Sequence, residues 1–239
     1  MGHLKNDTRE ALRGISTATI TLQLLKRGIR NTYMRGVAPL AAMSERLVGE
    51  AVTLRFIPMR EDLSTPATLA DKQNPQRVAI DTIPQGAILV IDARGVADCA
   101  ALGDILAERI KQRGAAGVVT DGGVRDAEAV SAVGLPIFAA GPAAPASLTA
   151  HTPIDRDLPV GCGGVAVIPG DIIVGDGDGV VVIPKALVDE VARDGVEQEG
   201  IEAFIKLQVE KGRPVIGLYP PDDTIRAEYA DWVAAGKPR

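Results

Sequence analysis

The chain has 239 residues, 46% hydrophobic and 24% charged, which supplies enough apolar material for a globular core and excludes a disordered chain. Its net charge is −5 and its Lys/Arg residues never run longer than the pair Lys26-Arg27, which excludes the electrostatic footprint of a nucleic-acid binder. No stretch approaches the roughly 18 to 20 apolar residues of a membrane helix, and the polar start has no signal-peptide apolar segment, so a cytoplasmic protein without membrane contact is expected.

Aromatic residues make up only 3% of the chain, whereas Val, Ile, Leu and Ala are plentiful, a bias toward β-branched strands covered by alanine-rich helices. From Asp7 to Gly28 the pattern predicts two helices, the second capped by Ser16 or Thr17. GEAVTLRFIP (49–58) reads as a strand stopped by proline, and the stretch to Pro84 as surface loop and short helix. From Gly86 a βαβαβ series follows: strand 87–93, helix 104–114, strand 117–120, helix 127–134 and strand 135–141. Such units make parallel strands whose carboxyl ends open on one edge of the sheet, where ligands bind.

Beyond Gly141 the chain becomes short β segments broken by Gly, Pro and Asp, with Asp176-Gly177-Asp178-Gly179 as hairpin-turn chemistry. That run is not a calcium loop, because Val180 and Leu187 stand where an EF-hand needs an oxygen ligand and a glutamate. A charged helix and a last short helix ending with Trp232 complete the chain. They carry too little apolar surface to fold alone, so residues 1–185 are expected to form the domain and 186–239 a helical arm packed on it or on a neighbouring subunit.

Cys99 and Cys162 belong to no CxxC and read as small packed residues, and only His3 and His151 offer imidazole. Chemistry therefore falls to carboxylates, arginine, lysine or a metal. Asp104 opens the helix after one parallel strand, and after 20 intervening residues Arg125-Asp126 open the next. One helix down and one strand back returns the chain to the same edge, so two carboxylates and an arginine converge there. Each aspartate alone is explained by helix capping and the arginine by a surface ion pair; their conjunction beside Gly103 and Gly122-Gly123, where ligand atoms can approach backbone, points to a site. A carboxylate pair with few other donors suits Mg²⁺ or Mn²⁺. The turn Gly103-Asp104-Ile105-Leu106 presents helix N–H groups to a substrate carboxylate.

GDILA (103–107), the Asp-x20-Arg-Asp spacing and the late GDxxxGDxDGVVVIP strand pair resemble the class II 4-hydroxy-4-methyl-2-oxoglutarate / 4-carboxy-4-hydroxy-2-oxoadipate aldolases and the RraA-like proteins, over roughly residues 10 to 190. The resemblance implies a three-layer α/β/β swivelling-type domain, assembled as a trimer or hexamer with sites at subunit boundaries. It implies that Asp126 binds the divalent metal, that Arg125 binds substrate and stabilises an enolate, and that Gly103, Asp104, Ile105 and Leu106 hold the pyruvyl carboxylate. Asp104 would orient metal-bound water, and a glutamate of a neighbour's arm would approach those waters, with Glu199 the candidate and Glu197 and Glu202 competing with it. The expected reaction is cleavage of a 4-hydroxy-2-oxo acid to pyruvate and a carbonyl product, with oxaloacetate decarboxylation as a side activity. The alternative is a non-catalytic regulator of a ribonuclease or RNA helicase, a role the RraA-like name also covers. A Schiff-base aldolase is disfavoured because the lysines stand in charged or helix-start contexts, and a dinucleotide site because Gly161-Cys162-Gly163-Gly164 precedes a β run. Arg55, Arg60 and Asp62 are either exposed charges or the lining of the substrate's far end.

Overall fold

The structure is a computed structural model that describes residues 4–237, apart from the side chain of Leu69; His3 lies outside the described residues. Two helices, α1 (Asn6–Arg13) and α2 (Thr17–Lys26), precede β1 (Ala38–Pro39) and the long β2 (Leu47–Pro58). The short helices α3 (Pro66–Ala70) and α4 (Pro75–Thr82) follow. Then comes a repeating strand–strand–helix series: β3 (Ala87–Asp92), β4 (Ala100–Leu102), α5 (Asp104–Gln112); β5 (Gly117–Thr120), β6 (Gly123–Val124), α6 (Ala127–Val133); β7 (Ile137–Ala139), β8 (Gly141–Pro142). After β9 (His151–Arg156) two hairpins, β10 (Val160–Cys162) with β11 (Val165–Val167) and β12 (Ile172–Asp176) with β13 (Gly179–Ile183), lead to the helices α7 (Val188–Glu210) and α8 (Asp223–Ala234).

The main sheet runs β1-β7-β5-β3-β2-β12-β13. Its centre, β2, β3, β5 and β7, is parallel as the βαβ reading requires. β2 is long enough to serve two partners on its outer edge, β12 along residues 47–50 and β9 along residues 54–58. Alternation along β3 shows the two faces: Leu89 and Ile91 point to the cluster under α4, α5 and α6, and Ile88 and Val90 to a second cluster. Burial on both faces explains why the sequence of β3 is a continuous apolar run.

The second cluster is enclosed because the sheet nearly closes. Met34 N–H donates to Val180 O of β13 at 2.9 Å and Val182 N–H to Thr32 O at 2.9 Å, while a few residues later β1 pairs with β7 at the other edge. One segment, residues 32–39, thus ties both edges, and Val160, Cys162, Val165 and Val167 of the β10–β11 hairpin fill the interior. Helices, parallel sheet and curled-over antiparallel strands are the three α/β/β layers. Helices α1, α2 and the first half of α7 cover the outside of β12 and β13 through Leu12, Ile20, Leu24, Val181, Ile183 and Val191. The later half of α7 clusters with α8 through Phe204, Ile205, Ile225, Tyr229 and Trp232.

Several smaller expectations hold. Ser16 caps α2 by accepting from Thr19 N. Both cysteines are buried and unpaired. Asp176-Gly177-Asp178-Gly179 is the β12–β13 turn, and the Asp176 carboxylate takes hydrogen bonds from Thr17 N, Thr17 Oγ1 and Asp178 N. That arrangement is a saturated turn, not a cation loop. The glycines at 163 and 164 turn the β10–β11 hairpin with φ of +55° and +77°, and Arg60 and Asp62 form an exposed pair with each other. Among the described residues no helix is long and apolar enough to cross a membrane.

Candidate active site at the ends of two paired short strands

After each of the parallel strands β3, β5 and β7 comes a strand too short to be read from sequence. β4, β6 and β8 form a small parallel sheet of their own. Leu102 of β4 lies opposite Val124 of β6, and Arg125 N–H donates to Leu102 O at 3.1 Å. The residues that follow these partners, Gly103-Asp104 and Arg125-Asp126, therefore emerge side by side. The Asp-x20-Arg-Asp spacing is the length of one turn around this unit, and strand register, not helix length alone, makes the groups converge.

Arg125 lies across Gly103: a Cβ on Gly103 would stand 2.9 Å from Arg125 Cγ and 3.1 Å from Asp126 Oδ2. Gly122 and Gly123 have another explanation than the ligand approach expected of them. A Cβ on Gly122 would meet Ala93 Cβ at 2.5 Å, and one on Gly123 would meet Ala143 Cβ at 2.4 Å and Ala97 O at 2.6 Å, so these glycines let protein pack on protein.

The capping explanation fails for Asp126. It stands at the N-cap of α6 in left-handed backbone, φ +53° and ψ +39°, and its side chain caps nothing. Asp is among the few side chains that tolerate this conformation. Asp126 Oδ2 instead accepts from Arg125 Nε at 2.8 Å. That bond, then the Asp126 charge, raises the Arg125 pKa, and the Asp104 charge adds to it. Asp104 is the first residue of α5 rather than its cap, and its Oδ1 accepts from Ile105 N–H at 2.8 Å. The N-cap position belongs to Gly103, which has no side chain to cap with; Asp104 Oδ1 takes the Ile105 N–H, and among the described residues the N–H groups of Asp104 and Leu106 have no side-chain acceptor.

These residues line a cleft of about 200 Å³ whose wall includes Gly103, Asp104, Ile105, Leu106 and Arg125, with Ala100 to Leu102 behind them. Every residue assigned above to substrate binding is there. Asp126 sits at its margin, joined through Arg125. Three polar lining residues were not foreseen: Gln76 and Arg77 from the first turn of α4, and Ser147. Gln76 and Arg77 come from the stretch read as surface loop and short helix; the signal was Asn74-Pro75, which fixes a helix start through Asn74 Oδ1. Gln76 Nε2 donates to Ala101 O at 2.7 Å, where the β4–β6 register slips and Ala101 has no partner on β6. Arg55 lies away from the cleft, paired with Asp155.

Glu199 of the same chain has a local role: it accepts from Ser16 N at 2.9 Å and Ser16 Oγ at 2.8 Å. Burial raises its pKa, but these bonds and one from Thr19 outweigh it and hold the carboxyl below its usual value. His151 is buried, and burial together with the Arg94 charge pushes its pKa down to about 4. It is neutral at physiological pH and forms part of the core beside Phe56, not of the cleft.

Among the described residues no group of three or more His, Cys, Asp and Glu side chains is placed to hold a metal. The donor set at the cleft is instead one or two hard carboxylate oxygens, Asp126 with Asp104 nearby. It fits a Mg²⁺-type cation, which keeps several waters and takes few protein ligands, and does not fit a zinc cage.

Residues 15–182 match the family model described as RraA-like, Aldolase/RraA. The chain is 42% identical over 115 residues to a Halalkalibacterium halodurans protein named "Putative 4-hydroxy-4-methyl-2-oxoglutarate aldolase", a match covering 48% of this chain and 54% of that protein, about half of its length. Among solved structures, Streptomyces coelicolor RraAS2, titled an unusual member of the RNase ES inhibitor RraA protein family, is similar with TM-score 0.76 and 34% identity over 86% of this chain and 98% of that one. An uncharacterized Pseudomonas syringae pv. tomato protein is similar with TM-score 0.77 and 25% identity over 91% of this chain and 99% of that one.

Proposed function

The chain belongs to the RraA-like family, and from that membership and the cleft we propose that it is a divalent-metal-dependent lyase that cleaves a 4-hydroxy-2-oxo acid to pyruvate and a carbonyl product. The observation that carries the reading is the meeting of Gly103-Asp104 and Arg125-Asp126 at the ends of two paired strands. The first turn of α5 binds the substrate carboxylate through the backbone N–H groups that Asp104 does not occupy. Asp104, with Oδ1 held by Ile105 N–H, offers Oδ2 through a water to the proton leaving the 4-hydroxyl. Breaking the carbon–carbon bond leaves negative charge on the 2-oxygen of a pyruvate enolate, and Arg125 stabilises it with a fork of fixed donors. Asp126 Oδ2 holds Arg125 and Oδ1 remains for Mg²⁺ or Mn²⁺, which when bound polarises the 2-oxo acid as a Lewis acid. Oxaloacetate decarboxylation passes through the same enolate and is a side activity of this reading. Ile105 is 78% exposed at the cleft, which supports a second copy covering the site in a trimer or hexamer; Glu199 would leave its Ser16 bonds to be the residue a neighbour's arm brings.

The test is pyruvate release from a panel of 4-hydroxy-2-oxo acids and oxaloacetate, with and without EDTA. Turnover is expected only with metal, and Asp126→Ala should abolish it with the thermal midpoint retained. Arg125→Lys should lose about 100-fold or more in kcat, because a point charge replaces a fork. The likeness to RraAS2 supports a second reading, a regulator that binds a ribonuclease. Absence of metal-dependent turnover on every substrate, together with tight ribonuclease binding, would overturn the lyase in its favour.

A further inference from the structure

Gln76 is only 2% exposed, although it stands in the first turn of a short helix, and its own N–H is taken by Asn74 Oδ1 at 3.0 Å. The other inward residues of α4, Ala79, Ile80 and Ile83, join one apolar cluster with Ala101 and Leu102. A buried amide beside them costs free energy unless it is hydrogen-bonded. Its Nε2 donates at 2.7 Å to Ala101 O, 25 residues away in the chain.

Ala101 is the irregular point of β4. Gly123 N–H donates to Cys99 O at 3.0 Å and Arg125 N–H to Leu102 O at 3.1 Å. Bonding carbonyls recur at every second residue of a regular strand, so an unbroken ladder would bring Arg125 N–H to Ala101 O. Ala100 faces Gly123 and Leu102 faces Val124, and Ala101 is the extra residue of a bulge between them. Gln76 thus fills the carbonyl that Arg125 would otherwise take. The register advances by one residue, and Gly103 comes to lie against Arg125, with a Cβ on it only 2.9 Å from Arg125 Cγ. The helix that makes this bond is itself anchored: Asn74 Nδ2 donates to Thr68 O at 3.0 Å, and Ile80 and Ile83 are packed in the core.

We propose that Gln76 is a positioning residue for the enolate site: by occupying Ala101 O it holds the β4 bulge, and the bulge sets Gly103 and the α5 first turn opposite Arg125. This rests on the assignment of those groups to the pyruvyl end. Without the amide, Ala101 O is open to Arg125 N–H, and β4 can slip toward the regular register with every site residue still present. The enolate charge arises only as the carbon–carbon bond breaks, so a misplaced Arg125 lowers kcat more than it raises KM.

The test uses three variants and one probe that cannot be cleaved. Gln76→Met keeps the length and removes the donor, Gln76→Asn keeps the amide but draws it back by one methylene, and Gln76→His returns a ring N–H the same number of bonds from Cα. Oxalate has the planar shape and charge of the pyruvate enolate, and its binding is titrated calorimetrically with Mg²⁺ present, below the thermal midpoint of each variant. Gln76→Met and Gln76→Asn should weaken oxalate by about 10- to 100-fold, the cost of a misplacement near 1 Å. On the best substrate kcat should fall by a similar factor with KM little changed, and Gln76→His should recover part of both. Folded Met and Asn variants with wild-type oxalate affinity and kcat would overturn the proposal, because the bond would then serve stability alone. Failure of both variants to fold, or a rise in KM without a fall in kcat, would also overturn it. If wild type binds oxalate but cleaves no 4-hydroxy-2-oxo acid, the lyase reading fails and Gln76 is judged on oxalate affinity. If wild type binds no oxalate, the enolate site and the role of Gln76 fall together.

Discussion

At the scale of the residue, Gly103 decides the geometry of the cleft through space and not through backbone freedom. Its φ of −135° and ψ of −172° are open to any residue, but the volume a Cβ would take is occupied by Arg125 Cγ at 2.9 Å and Cδ at 3.3 Å and by Asp126 Oδ2 at 3.1 Å. Gly103→Ala should therefore displace the Arg125–Asp126 pair and leave the core intact. We expect kcat/KM on the best substrate to fall by about 10- to 100-fold, the cost of a misplacement near 1 Å, with the thermal midpoint within a few degrees of wild type. Unchanged kinetics would show that Arg125 does not need the position it holds here. The candidate site residues could be singled out in the sequence because adjacent Arg125 and Asp126 exceed what a helix cap requires. Their geometry could not. Nothing local reveals that Asp126 takes left-handed backbone and bonds to its neighbour, or that Gly122 and Gly123 are filled by alanines brought from elsewhere in the chain.

At the scale of the element, the helices and long strands followed from periodicity and caps, whereas β4, β6 and β8 did not. Strands of two or three residues show no alternation, and Ala100–Leu102 and Gly123–Val124 are strands only because they pair with each other. Arg77 was missed for the same kind of reason: α4 is visible as a helix, but which strand it lies over is set by Gln76 reaching Ala101 O. β9 gives an element-level test through pH. Its first residue, His151, packs on Phe56 of β2, and Arg94 Nη2 lies 3.1 Å from its Nδ1. Its folded pKa of about 4 lies below the ordinary 6.5, so between those values the unfolded chain binds the proton and the folded chain does not. Stability is then fully present above about pH 6.5 and is lost as pH falls toward 4. Urea unfolding at pH 7, 5.5 and 4.5 should show this loss in wild type and a flatter dependence in His151→Phe, which keeps the ring contact and removes the proton site. Parallel curves for the two proteins would mean that His151 is not the titrating group.

At the scale of the whole molecule, the fold depends on bringing the two limbs of the sheet together around the interior cluster. A strand count from sequence gives the parallel centre and the hairpins but not their closure, because closure rests on residues 32–39, a segment with no periodic signal that bonds to β13 and then to β7. The tightest sign of the closure is Gly175 in β12 facing Phe138 in β7. A Cβ at Gly175 would stand 2.7 Å from Phe138 Cζ and 2.9 Å from Cε2, and Phe138 is fully buried. Gly175→Ala overpacks this point and should cost about 1–3 kcal/mol. For a chain of this size each kcal/mol lowers the melting temperature by about 2–4 °C. Because the contact lies in the interior cluster and the cleft lies beyond β4 and β6, kcat/KM of the folded protein should stay within about twofold of wild type. Phe138→Leu alone should also destabilise, by leaving space. The double variant should be more stable than the sum of the two losses, because the added methyl occupies part of the space the ring vacates. Strict additivity in thermal or urea unfolding would show that the limbs do not meet through this pair, and the closed arrangement would then rest on the hydrogen bonds of residues 32–39 alone.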